Sequence, residues 1–121
     1  MVNYAFKPED RPQEWSLDYS KRDHEIVDYQ YYELEGISGV KFRGPPLPAD
    51  VLESGNYFTC LGGAQANGIF VKDTFGDILA DRIGLPVLNL SVGGGGAGFY
   101  LHAPGLLDLV NVGRFTIVQV M

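Results

Sequence analysis

Beyond residue 50 the apolar residues fall into short blocks punctuated by glycine, and their spacing alternates between continuous and helical. Tyr57, Phe58, Thr59, Cys60 and Leu61 form an unbroken run ending at Gly62-Gly63. Such a run predicts a short strand buried on both faces. Phe75, Ile78, Leu79 and Ile83 then recur at i, i+3, i+4 and i+8, the period of one helical face, with Asp73 or Thr74 available as N-cap and Gly84 as the stop before Pro86. Residues 87–92 (Val-Leu-Asn-Leu-Ser-Val) predict a second strand that runs into four glycines. Pro104 suits the first turn of a second helix over 104–111, with Leu106, Leu107 and Val110 on one face. Gly113 precedes a third apolar run over 115–120. Strand, helix, strand, helix, strand at this spacing predicts an α/β fold, with a parallel sheet flanked by helices in three layers of the flavodoxin kind.

The first fifty residues have a different texture. They hold three of the sixteen glycines and ten acids against six bases, which reads as an irregular N-terminal arm rather than repeating core. Two β-prone runs, 28–34 and 38–43, flank Glu35-Gly36-Ile37 and form a candidate hairpin. Arg43-Gly44-Pro45-Pro46-Leu47-Pro48 follows as an extended connector, since its prolines lack donors and restrict their neighbours. The expected division is residues 1–50 as arm, hairpin and connector, and residues 51–121 as the first half of an α/β domain. Three parallel strands leave an apolar edge unpaired, so the sheet is expected to be continued by further sequence or by another chain.

In open parallel sheets ligands bind beyond the carboxyl ends of the strands. Two loops lie there: Gly62-Gly63-Ala64-Gln65-Ala66-Asn67-Gly68 and Asn89-Leu90-Ser91-Val92-Gly93-Gly94-Gly95-Gly96-Ala97-Gly98. The first resembles the loop of SGNH or GDSL hydrolases, which carry Gly-Asp-Ser-x-Thr-x-Gly after their first strand with the serine as nucleophile. Gly62 and Gly68 match that pattern, while Ala64 takes the nucleophile's place. The second loop is similar to the oxyanion-glycine block, with Gly93 or Gly94 as counterpart. More closely, Arg43-Gly44-Pro45, the block 62–71 and Gly84-Leu85-Pro86-Val87-Leu88-Asn89-Leu90, in this order, resemble a bacterial SGNH-like family of unknown function. The resemblance implies an SGNH-like fold continuing past Met121, and no settled activity.

Alanine has no hydroxyl to deprotonate, so a serine ester cannot form at position 64. Ser91, inside an apolar strand, reads as a hydrogen-bonded structural serine. His24 and His102 are the only imidazoles; His24 lies in the charged arm, and His102 follows the second loop as a weak candidate base. Gln65, Asn67 and Asn89 are the polar side chains best placed for a ligand. Asn67 can alternatively serve a left-handed turn, and Asn89 can tie the two loops together. Ligand binding is thus expected at Gly62, Gly63, Gln65, Asn67, Asn89, Gly93 and Gly94. Gly93, Gly95 and Gly98 also match Gly-x-Gly-x-x-Gly, but they follow the second strand and no acid ends the third, which argues against a dinucleotide fold. A phosphate cradle for a transferase remains open there.

Charge and composition narrow the picture further. A net charge of −6 with scattered basic residues argues against nucleic-acid backbone binding. No stretch approaches the roughly 20 apolar residues of a membrane helix, and no secretion signal begins the chain. The single cysteine, Cys60, reads as a buried thiol, which suits a reducing cytoplasm. No His, Cys or carboxylate spacing suggests a metal, and no cofactor is expected. Tyr29, Tyr31 and Tyr32 read as part of a strand that packs one face onto the sheet, the alternative being a carbohydrate or protein contact surface. The expectation is a ligand-binding or non-classical relative of the ester hydrolases, acting on a small-molecule or carbohydrate-linked substrate. The alternative is an interaction protein whose sheet a partner chain or oligomer completes.

Overall fold

The computed structural model describes residues 2–3, 30–68, 71–93 and 96–120. It is an α/β structure with two sheets. The first is antiparallel: β1 (Val2–Asn3), β2 (Tyr31–Leu34) and β3 (Ile37–Arg43), in that order. The candidate hairpin is therefore present, joined through Glu35 and Gly36, whose φ of 86° falls in the left-handed region. Asp28 and Tyr29, placed in the first strand of that hairpin from sequence, lie outside the described residues. Tyr32, Leu34 and Phe42 are buried, and Lys41 pairs with Glu33 at 3.6 Å on the opposite face.

The second sheet is parallel, with β4 (Phe58–Leu61) central between β5 (Val87–Asn89) and β6 (Thr116–Val118). Both outer strands are shorter than the apolar runs that announced them. Past Asn89, Leu90 and Val92 still donate to Cys60 O and Gly62 O at 2.9 and 3.0 Å, so the chain keeps tracking β4 after the ladder ends. Between the strands run α1 (Ala49–Ser54, before β4), α2 (Ala64–Asn67), α3 (Phe75–Ile83), α4 (Ala97–Leu101) and α5 (Pro104–Val112). The ends of α3 follow the sequence reading. The Thr74 hydroxyl accepts from Asp77 N while the Asp77 carboxylate accepts from Thr74 N, a reciprocal capping box, and Gly84 closes the helix at φ 70°. Pro104 opens α5. The short helices α1, α2 and α4 were not foreseen, because one or two turns leave too little periodicity to read.

Both faces of the parallel sheet are covered. On one, Leu88 and Leu90 pack with Tyr32, Leu34 and Phe42 of the hairpin, Leu52 of α1, Tyr100 of α4 and Leu106 of α5. On the other, Phe58, Cys60 and Val87 pack under Leu79 and Ala80 of α3. The apolar stripe expected to bury α3 needs correction here. Gly76, Leu79 and Ala80 meet the sheet, with the Cys60 thiol close against Gly76, whereas Phe75, Ile78 and Ile83 are each more than 40% exposed. Glycine and alanine let the helix sit close to the strands and rotate the larger residues to its flanks.

Candidate functional site

In the order β5-β4-β6 the chain leaves the central strand to one side and returns on the other, so the topological switch lies between the carboxyl ends of β4 and β6. The loop after β4 occupies this point. Gly62 and Gly63 carry the chain into the single turn of α2, which Gly68 ends at φ 81° by donating to Ala64 O at 2.9 Å. A Cβ on Gly62 would come within 2.6 Å of the Gln119 side chain, so close approach, rather than φ, requires glycine there. Ala64 and Gln65 are exposed, while Ala66 and Asn67 are buried.

Two residues that the sequence did not suggest organise this loop. Gln119, just past β6, accepts through its Oε1 from Gly63 N at 2.9 Å and Ala66 N at 3.3 Å, and its Nε2 donates to Gln65 Oε1 at 2.6 Å. Tyr100 of α4 accepts from Gly62 N at 3.0 Å and donates to Leu90 O at 2.8 Å. Burial pushes the Tyr100 phenol above its usual value, with the bond from Gly62 pulling the other way. The loop's amides are thus held by side chains from the two segments that follow it.

The loop is also tied to the second strand. Asn67 Nδ2 donates to Ser91 O at 3.0 Å, and Asn89 Nδ2 donates to Ala66 O at 3.0 Å. Asn89 Oδ1 accepts from Ser91 N at 3.0 Å, and the Tyr32 hydroxyl donates to Asn89 O at 2.6 Å. Asn89 therefore bridges the two loops, one of the two roles open to it from sequence. Asn67 is helical and does the same, leaving the left-handed position to Gly68. Ser91 is fully buried with its hydroxyl 3.4 Å from Cys60 O, a structural serine. Burial pushes the Cys60 thiol up to about 11, the Asp77 carboxylate adding to the effect, which makes it a poor nucleophile at neutral pH.

Arg43 completes the frame. It is 2% exposed, and its guanidinium donates to the carbonyls of Gly68, Val71 and Lys72 at 2.7 to 2.8 Å and of Asn67 at 3.3 Å. Asn67 and Gly68 end α2 and Val71 and Lys72 lie beyond it, so a positive charge from the hairpin binds carbonyls at and after the close of the first loop.

The second loop is less engaged. Gly93 is exposed, Gly94 and Gly95 lie outside the described residues, and Gly96 and Gly98 begin α4. His102 ends α4, exposed, with Nδ1 2.7 Å from Gly98 O in its own helix. The structure thus brings Gly62, Gly63, Gln65, Asn67 and Asn89 together, and none of the contacts of His102 reaches them. His24 is outside the described residues. Among the described residues no group of three or more His, Cys, Asp or Glu could hold a metal, and no helix is long and apolar enough to cross a membrane.

Residues 17–121 match the model of a family described as a domain of unknown function, DUF6473. The chain belongs to this family. The match covers the hairpin, both glycine loops and all three parallel strands of the DUF6473 domain, and nothing in it links the family to the SGNH hydrolases. No curated protein and no solved structure matches the chain.

Proposed function

We propose that this DUF6473 domain is an SGNH-like fold that binds a small-molecule or carbohydrate-linked ligand at the carboxyl ends of β4 and β6, without serine-ester chemistry. The observation that supports this is Ala64. It stands exposed at the first position of α2, over the switch point, where a hydrolase of that kind would present its nucleophile. Ser91 offers no substitute, since it is buried and its hydroxyl is directed at a carbonyl. What the loop does offer is recognition. The amide carbonyl of Gln119 sits on Gly63 N and Ala66 N, so a ligand carbonyl that displaced it would meet the same two donors, and Gln65 would be released to bind it.

The test has two arms. Treatment with a serine-directed fluorophosphonate should leave the mass of the protein unchanged, and a covalent adduct would overturn the reading. In a titration with a panel of glycosides and acyl glycosides followed by amide NMR, the resonances of Gly62, Gly63, Ala64 and Gln65 should shift and saturate. Saturable shifts confined to other segments, or none across the panel, would equally refute it.

A further inference from the structure

Away from the glycine loops, the hairpin, α1 and α5 converge on a cavity of about 490 Å³, within the size range of small-ligand pockets. It shares no residue with the loop at 62–68. Its floor is apolar: Leu34 and Leu52 are buried core residues, and Ile37 is packed against the same core. Its rim carries Glu35, Glu53 and Asp108, all exposed, and none of the described residues lining it is basic.

We propose that this cavity binds a small amphipathic amine, with the aliphatic or aromatic body on the Leu34–Leu52 floor and the ammonium among the three rim carboxylates. Burial of an apolar body supplies affinity without regard to charge, whereas the rim selects the sign: it attracts a cation, repels a carboxylate and leaves an alcohol unaffected. The same rim argues against occupants of the protein's own making. A second copy would bring a net charge of −6 and an identical acidic rim, and residues 4–29 carry seven acids against four bases.

Hexylammonium, hexanol and hexanoate share one apolar body and differ in charge, so titrating each into the protein separates the two terms. Hexylammonium should bind about fivefold more tightly than hexanol, with hexanoate weakest, given the modest strength of exposed ion pairs. Methyl resonances of Leu34, Leu52 and Leu109 should report the binding. The double variant E53Q/D108N alters only exposed side chains and should reduce the preference for hexylammonium over hexanol, with Glu35 keeping the remainder, while leaving hexanol unchanged. Gly105→Leu gives an independent check. A Cβ at Gly105 meets only Ile37 Cδ1, at 3.7 Å, so the larger side chain can extend into the cavity without a backbone clash and should weaken all three ligands. Hexanoate binding as tightly as hexylammonium, an undiminished charge preference in E53Q/D108N, or the absence of saturable shifts at those methyl groups would overturn the proposal.

Discussion

Replacing Arg43 with methionine tests whether the buried guanidinium holds the first loop in place. The side chain is 2% exposed and donates to four carbonyls, three of them at 2.7 to 2.8 Å. Hydrogen bonds from a charged donor contribute about 1.5 to 3 kcal/mol each, but taking the guanidinium out of water offsets several kcal/mol of that sum. The cost of the substitution is better judged from what is left behind. Val71 and Lys72 are exposed and their carbonyls can rehydrate, and the Gly68 carbonyl keeps its bond from Val71 N at 2.9 Å, whereas the carbonyl of buried Asn67 is abandoned at a cost of about 1 to 3 kcal/mol. Methionine fills much of the vacated volume, so the cavity contribution is small. We expect a loss of about 1 to 3 kcal/mol, read by urea unfolding as a midpoint shift of roughly 1 M for a slope near 1.5 kcal/mol/M. Arg43→Lys should recover less than half of this, because an ammonium has three donors and no planar fork to span carbonyls on both sides. Where the methionine variant is too unstable to measure, the lysine variant carries the test, through faster amide exchange at Gly68 and Val71. A loss under 1 kcal/mol in Arg43→Met, or full recovery by lysine, would refute the argument.

Two further outcomes follow from the packing. Gly62→Ala places a methyl 2.6 Å from Gln119 Oε1 and 2.7 Å from its Cβ, and should cost about 2 to 3 kcal/mol. In a Gln119→Gly background the same change should cost at least about 1 kcal/mol less, and an additive double-mutant cycle would show that the two residues do not meet. Cys60 gives a pH dependence: its thiol is raised from 9.0 to about 11, so its contribution is fully present below pH 9 and is lost as the pH rises toward 11, on the order of 2 to 3 kcal/mol. Tyr57 and Tyr100 are also raised by burial and add to the alkaline loss, so the Cys60 share is the difference between the protein and its Cys60→Ala variant. Parallel stability profiles for the two between pH 9 and 11 would contradict that assignment.

Much of the frame was legible because its signals are local. The period of Phe75, Leu79 and Ile83, the Thr74–Asp77 cap, the stop at Gly84 and the start at Pro104 each act within a turn or two of chain. What the period could not reveal is which flank of α3 the sheet would cover, since Gly76 and Ala80 carry no hydrophobic weight in the pattern and yet make the contact. The residues that shape the site were harder still. Gln119 reaches Gly63 across 56 positions and Tyr100 reaches Gly62 across 38, and nothing in a short apolar strand or in an aromatic between Phe99 and Leu101 marks such a partner.

Arg43 shows the difficulty most clearly. In β3, Phe42 faces the core, so strict alternation sends Lys41 and Arg43 outward. Lys41 does meet Glu33 at a partly exposed position. Arg43 is buried instead, because Asn67, Gly68, Val71 and Lys72 meet that end of the hairpin and present their carbonyls to the guanidinium. The available clue was positional: a strand residue of permanent charge standing directly before Gly44 and a run of prolines, where the chain must turn away and another segment can close in. Asn67, Gly68, Val71 and Lys72 carry no sequence signature for a cation, since every residue has a carbonyl. A cap built from side-chain charge and backbone acceptors therefore becomes visible only when tertiary structure brings the two segments together, whereas a cap such as that of Thr74 and Asp77 is written within four consecutive residues.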